Sequence, residues 1–490
     1  MASLRNVIDA YLVGPYISIF KTEGRSPEPV HMAFPILKTE LEAELLAGLL
    51  RENERPELRA ERMSLDQIIE NSRNRIAELL CRQVPEISPR TRETIATVAA
   101  LSRTALGQLF PLLLDENVEE VYIDGPMEPV YFDHSRLGRC LASCHVGPHD
   151  ARRIVTLLRS ESNLHADITN PSLKTDLSVC GTSYRFSVAL PPLSPRGMVM
   201  EIRRPRSRAY DILDLIRNGT MTLDVAALLV LAYCSKLNIT ITGGPGSGKT
   251  TLLNALDMTA PTYWRRIYIE DSIESRLHHG GHQVSFRVDP VDESGGRLDK
   301  TSEIIKTLHR SPDYVILGEI QTADHSRALF QAISAGLGCI QTCHGHSAAG
   351  LITRWTNDHK IDGSSIALMD IVVAMERPRP GSSKRYVAEV AEIRRNIDKG
   401  IIGFGGLNVL YRRGGSFGPE NLSPDGAVLQ RALQCGVTSI SSAFESVRHL
   451  LESRLDERST LDPRQLGNIL WSLGHPLMFD ITKLNMWELK

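Results

Sequence analysis

Gly243-Gly244-Pro245-Gly246-Ser247-Gly248-Lys249-Thr250 is the stretch that decides how this chain reads. It fills every fixed position of the pattern G-x-x-x-x-G-K-[ST]. An apolar run, Leu237 to Thr242, leads in as a strand, and Thr251 to Asp257 leads out at helical spacing. Glycines let a backbone wrap an anion with its N–H groups turned inward, and the helix that follows aims its positive dipole end at the same charge. Lys249 is placed to reach the β- and γ-phosphates of a nucleotide, and the Thr250 hydroxyl to ligate Mg²⁺. Residues Gly243, Gly244, Pro245, Gly246, Ser247, Gly248, Lys249, Thr250 and Thr251 are thus predicted to bind Mg-ATP.

A hydrolytic site of this kind needs an acidic group at the tip of a neighbouring strand. Tyr314-Val315-Ile316-Leu317-Gly318-Glu319 supplies one: the apolar run reads as a buried parallel strand, and Glu319 emerges from its end. There it would orient or polarise the attacking water, or hold Mg²⁺. Between the two motifs, Glu270, Asp271 and Glu274 cluster just past another apolar strand, Arg266 to Ile269. Such carboxylates repel one another unless a cation compensates them, and Mg²⁺ would do so. The expected metal set is Thr250, Glu270, Asp271 and Glu319, with Glu274 beside it in a catalytic role.

The rest of the chain frames this site. From 223 to 400 strands and helices alternate, the pattern of a parallel sheet, with further strands at Ile239–Thr242, Cys339–Thr342 and Ile371–Ala374. Residues 96–222 mix helix and strand, with strand pairs at Val121–Ile123 and Val130–Phe132, at Leu177–Val179 and Tyr184–Ala189, then Val199–Ile202 and a basic linker from Arg203. Residues 1–95 carry apolar positions at helical spacing, clearest in Leu41–Leu50 and Leu65–Leu80, and read as a helical region. Gly403 to Gly426 is rich in Gly, Pro, Ser and Asn and reads as a loop; within 401–490 the segments Ala427–Cys435 and Ala443–Leu455 read as helices.

Bulk properties narrow the function. Lys and Arg total 56 against 58 Asp and Glu, a net charge of -2, which argues against a dedicated nucleic-acid binder. No stretch approaches the roughly 18 apolar residues of a membrane span, and the first twenty residues do not read as a signal peptide. Eight scattered cysteines suit a reducing compartment, so a cytoplasmic protein is expected. Cys140, Cys144 and His145, with His134 nearby, are metal-ligating types without the spacing of a zinc ribbon.

With these residues in place the chain resembles the secretion ATPase superfamily of type II and type IV systems, which includes motors of type IV pili and archaella and type IV secretion traffic ATPases. The resemblance covers about 101–394 and is best to the archaeal branch. Gly248 to Leu256 is very like the family's phosphate loop. Ile269-Glu270-Asp271 with Glu274 looks like its Asp box, Ser311-Pro312-Asp313 with Gly318-Glu319 like its Walker B segment, and Gly336 to His344 like its His box. The resemblance implies a RecA-like P-loop domain preceded by a PAS-like α+β domain, with Glu319, Lys249, Glu274 and His344 as catalytic groups. Arg185 and Arg203, with Arg204, are the candidates for the family's charge-stabilising arginines.

It further implies a homo-hexameric ring working on a polytopic membrane platform protein from the cytoplasmic face, with no zinc and no direct nucleic-acid contact. Three departures bear on mechanism. Gln321 stands where the family usually has Arg, Leu337 replaces the first His of the His box, and His309 and Ser311 take positions where Arg is frequent. Losing one such cation elsewhere costs roughly a thousandfold or more in rate. Two other classes therefore stay open beside the motor, a nucleotide-binding regulator or scaffold that barely turns over, and a traffic ATPase that moves DNA or protein.

Overall fold

The computed structural model describes residues 6–22, 28–51, 63–162, 168–204, 209–261, 263–275, 281–289, 298–379, 381–423, 426–434 and 439–456. The chain divides into two compact units, one of residues 1–207 with 379–383, the other of 208–378 with 384–490.

In the first unit nine strands form one sheet. They are β1 (Val7–Val13), β2 (Tyr16–Lys21), β3 (Val30–Pro35), β4 (Val118–Ile123), β5 (Pro129–His134), β6 (Gly138–His145), β7 (Ser172–Val179), β8 (Thr182–Ala189) and β9 (Val199–Arg203). Their order is β1-β2-β3-β6-β5-β4-β9-β8-β7, antiparallel throughout except for the short β3–β6 pairing. The helices Glu40–Arg51 and Leu65–Gln83 fall where helical spacing placed them. Ser64 starts the second with a capping box, accepting from the Gln67 N–H while the Gln67 side chain returns to the Ser64 N–H.

The wholly helical reading of 1–95 is corrected here, because β1, β2 and β3 precede those helices and join the same sheet as β4–β9. β2 alternates buried and half-buried positions as a strand should, but it is only six residues long. β1 is an edge strand whose Ile8 and Leu12 face outward, which blurs its alternation. His134 has both ring nitrogens engaged within this unit. Its Nδ1 accepts the Arg136 and Leu137 N–H groups at 3.1 Å, and its Nε2 lies 2.8 Å from the Tyr11 hydroxyl. Among the described residues no group of three or more His, Cys, Asp or Glu is arranged to hold a metal ion.

The second unit is built on an eight-stranded sheet. Its strands are β10 (Ile239–Gly243), β11 (Arg266–Glu270), β12 (Gln283–Arg287), β13 (Tyr314–Ile320), β14 (Cys339–Cys343), β15 (Ile371–Glu376), β16 (Tyr386–Asp398) and β17 (Ile401–Arg412). The order is β12-β11-β13-β14-β10-β15-β16-β17, parallel from β12 to β15 and antiparallel from there on. Every residue of β10, β11 and β14 is buried, as in a parallel sheet covered on both faces. One face packs on the Leu223–Cys234 helix, whose residues Val225 to Tyr233 are all buried. The other packs on Ile304, Phe330 and Trp355. The strand that feeds the phosphate loop is thus held between two neighbours in the middle of the sheet.

The tail differs from its sequence reading. Gly403 to Gly426 was expected as a loop, yet its first ten residues lie in β17, which forms a long hairpin with β16. The turn uses Lys399 (φ 48°) and Gly400 (φ 79°), the left-handed pair that a two-residue hairpin favours. The glycines of β17 sit where the ladder slips register beside Arg394 and Arg395, and glycine in a strand often marks such irregularities. The helices Ala427–Gln434 and Ile440–Asp456 match expectation, and Phe444, Val447 and Leu451 of the latter join the core around Val225–Tyr233. Among the described residues no helix is long and apolar enough to cross a membrane.

The helix behind the loop, Lys249–Asp257, is anchored by a buried carboxylate at its end. Asp257 accepts from the Tyr233 hydroxyl at 2.8 Å, the Tyr268 hydroxyl at 2.6 Å and Arg266 Nη1 at 2.8 Å. Burial works against the Arg266 charge, but Asp257 more than offsets it and the guanidinium pKa is raised. Removing one partner of such a pair strands the other in an apolar medium. Asp257→Ala is expected to cost about 3–5 kcal/mol in urea unfolding, and a loss under about 1 kcal/mol would mean the cluster does not anchor the helix.

Candidate nucleotide site

β10 ends at Gly243, and the loop to Gly248 turns into the Lys249–Asp257 helix. Gly246 (φ 65°) and Gly248 (φ 94°) occupy the left-handed region that glycine adopts without strain. Lys249 is buried, and its Nζ donates to the Gly243 and Gly244 carbonyls, both at 3.1 Å. Beside it, the buried hydroxyls of Thr242 and Ser247 have no hydrogen-bond partner among the described residues. A buried hydroxyl left unpaired costs about 1–3 kcal/mol, so two of them at an anion-binding loop point to a ligand rich in acceptor oxygens. The loop thereby fits the phosphates of a nucleotide. Thr250 and Thr251 stand half-buried in the first helical turn.

Two neighbouring strands bring the reactive groups to the same edge. The β13–β14 register shifts between Leu317 and Ile320, and Glu319 falls in that irregularity, a device that re-aims a side chain. Gly318 makes the close approach to β11 feasible, since a Cβ there would stand 3.2 Å from Glu270 Cγ. His344 directly follows β14, and its Nε2 lies 2.7 Å from Glu319 Oε1. The Gln321 amide donates to Glu319 Oε2 at 2.7 Å. Burial alone would raise the Glu319 pKa. The bonds from His344 and Gln321, with the Lys249 charge, overcome it and hold the carboxyl at about 2. It is an ionised acceptor at neutral pH.

The acidic box is engaged differently from Glu319. Glu270 Oε1 accepts the Glu274 and Ser275 N–H groups at 3.2 Å and 3.0 Å, and its Oε2 the Ser275 hydroxyl at 2.5 Å. Burial pushes its pKa up, against the pull of those bonds. Glu270 therefore shapes the turn that carries Glu274, whose own carbonyl accepts from Asn254 of the loop's helix at 3.0 Å. Asp271 pairs with the buried Lys300 at 3.2 Å, and Lys300 also donates to the Glu319 carbonyl at 3.0 Å. Mg²⁺ is commonly held by one or two protein oxygens together with substrate phosphates. Thr250 and Glu319 are the donors here that suit that demand.

Lys300 and Arg354 escaped the sequence reading. Arg354 Nη1 donates to the His344 carbonyl at 2.8 Å and its Nη2 to the Gln321 carbonyl at 3.0 Å. A cation thus stands against the backbone of the residue that replaces the expected arginine. No motif marks it, because it lies ten positions past His344 at the start of a π-helical stretch, Arg354–Asp358. Leu337, in place of a histidine, packs on the apolar core around Phe330 and Trp355. Arg185 and Arg203 lie in the first unit, directly opposite each other on β8 and β9, and Arg185 also pairs with Asp176 at 3.5 Å. Arg204 donates to the Leu113 and Asp115 carbonyls at 2.7 Å and 3.0 Å, a structural tie within that unit.

A phosphate loop on a central parallel strand, with a carboxylate and an imidazole from the next two strands, defines a RecA-like P-loop nucleotide-binding domain. The comparisons with known proteins go one step further. Residues 170–367 match the model of the type II/IV secretion system protein family. The chain is 29% identical over 302 residues to the probable conjugal transfer protein TrbB of Sinorhizobium fredii, covering 58% of this chain and 87% of that one. It is 29% identical over 238 residues to an uncharacterized protein, MJ0781, of Methanocaldococcus jannaschii, 47% of this chain but only 32% of the relative's length. Among solved structures it is similar to the ATPase DotB of Legionella pneumophila, with 13% identity, 79% and 97% of the two chains covered and a TM-score of 0.41.

The Glu319 pKa sets a pH test. Its depression below 4.5 contributes stability that is fully present above that value and is lost as pH falls towards about 2. The stability difference between wild type and Glu319→Gln should stay flat from neutral pH down to the ordinary carboxylate range, then shrink in more acid solution. A difference that already shrinks between neutral pH and that range would show that His344 and Gln321 do not hold the charge.

Proposed function

We propose that this chain is an ATP-hydrolysing motor of a secretion or filament-assembly system, working as a hexameric ring at the cytoplasmic face of a membrane platform. The observation that carries the reading is the convergence on one sheet edge of Lys249, the unpaired Ser247 hydroxyl and the ionised Glu319. The loop from Gly243 to Thr251 would hold the nucleotide phosphates, with Lys249 leaving the loop carbonyls for them. Thr250 and Glu319 would hold Mg²⁺, which when bound neutralises charge on the phosphates. Glu319 orients the attacking water, His344 keeps the carboxylate aimed and charged, and Glu274 is the further catalytic group, carried on the Glu270 turn. With a pKa of about 2, Glu319 acts as an electrostatic anchor for that water more than as a strong base.

The family match supports a secretion-system role. The work itself, adding or removing pilin-like subunits or exporting protein, is inferred from the resemblance. So are Arg185 and Arg203 as charge-stabilising groups and the membrane platform as partner. One observation favours a slower protein. Both Glu319 oxygens are engaged, one by Gln321, so a nucleotide-binding regulator is the second reading. A relative's name, conjugal transfer protein, keeps a traffic ATPase in view, although the charge of -2 disfavours direct DNA handling.

Steady-state ATP hydrolysis with Mg²⁺ tests the motor on wild type, Lys249→Ala and Glu319→Gln, with the particle mass measured on each sample. Turnover by a ring-sized species that each substitution lowers at least about a hundredfold is expected. Tight ATP binding without turnover in assembled rings would overturn the motor in favour of the regulator.

A further inference from the structure

The phosphate loop has a second flank that no motif describes. β15 pairs with β10 through Gly243 and runs out into Arg377, while Arg385 directly precedes β16. Arg385 Nε donates to the Gly246 carbonyl at 2.7 Å. A Cβ on Gly248 would stand 3.3 Å from Arg385 Cδ and 3.8 Å from its Cβ, so the arginine stem covers the loop where other residues would carry a side chain. A Cβ on Gly246 would stand 3.2 Å from Arg377 Nη1. The two left-handed glycines thus do more than permit the turn. They leave the room into which two arginines fit.

Charge around the loop is divided by side. Lys249, Arg377 and Arg385 lie at the β10–β15–β16 edge, with Glu376 as the one acid ending β15, whereas Glu270, Asp271, Glu274 and Glu319 lie at the ends of β11 and β13, with Lys300 paired to Asp271. A polyphosphate is drawn towards the first group and its metal towards the second. Guanidinium suits the first task, because its planar fork of N–H donors matches phosphate oxygens.

We propose that Arg385, supported by Arg377, is a nucleotide-positioning residue. It fixes the Gly246 peptide, so that the loop's N–H groups are set before the ligand arrives, and it adds positive charge on the polyphosphate side. This deepens the nucleotide-site reading above and rests on it. Arg385 acts in cis, from the same unit as the loop, and is distinct from the arginines of β8 and β9.

The test is equilibrium binding of a fluorescent ADP analogue to the full chain at low and high salt, with melting temperature recorded for each variant. Arg385→Ala is expected to weaken binding about tenfold and to flatten its salt dependence. Arg385→Lys should recover much of the loss, Arg385→Gln should not, and Arg377→Ala should lose about threefold. Unchanged binding in Arg385→Ala, or equal losses in the Ala, Lys and Gln variants together with a lowered melting temperature, would overturn the proposal. Failure of the site itself reads differently. Wild type would not bind, or Lys249→Ala would bind as well as wild type.

Discussion

A parallel sheet buried on both faces has nowhere to put charge except at the ends of its strands. That constraint organises the second unit. β10, β11, β13 and β14 carry only neutral polar side chains in mid-sheet, such as Gln341 donating to Thr240 at 2.6 Å, and their ionisable groups stand where the ladders start or stop, as Arg266, Glu270, Glu319 and His344. A ladder must also be supported from the side, and β10 has β14 on one flank and β15 on the other. The loop can present unpaired hydroxyls and a buried lysine because the strand beneath it and the helix behind it cannot yield. Asp257 secures the far end of that helix through three bonds to β11 and the Leu223–Cys234 helix.

What the sequence revealed follows the strength of its local signals. The parallel strands were legible as short apolar runs with Gly or an acid at their ends, and the loop as a motif whose glycines have a steric reason. The two amphipathic helices of the first unit were legible by their period. β1 was obscured by outward apolar residues on an edge, and β17 by three glycines that resemble loop composition. At the candidate site, Glu319 and His344, both read from motif spacing, meet. Lys300, Arg354 and Arg385 were missed because each touches backbone carbonyls of segments distant in sequence, 19, 10 and 139 positions away. Carbonyl acceptors carry no residue-type signature, so no pattern of side chains announces them.

The acidic box shows why residue type alone misassigns roles. Three carboxylates in five positions suggest a metal site, yet two of them already have demanding partners. Glu270 is spent on the turn that sets Glu274, and Asp271 neutralises the buried Lys300. Like charges coexist there because backbone N–H groups and one ammonium separate them. Glu319 differs in having its charge maintained by an imidazole and an amide, so it keeps an ionised acceptor at the strand edge.

The substitutions that looked like losses acquire a physical meaning at this level. An arginine at position 321 would place a full charge two residues from Glu319, where Gln321 donates a neutral bond to the same carboxylate. Arg354 binds the Gln321 carbonyl from outside, so positive charge is still present but is directed at backbone. Guanidinium held by two carbonyls is oriented, and swinging away would forfeit both bonds in a partly buried place. Arg354 is thus a brace between the end of β13 and the segment after β14. That brace holds in place the two segments that carry the Gln321 and His344 contacts to the Glu319 carboxylate.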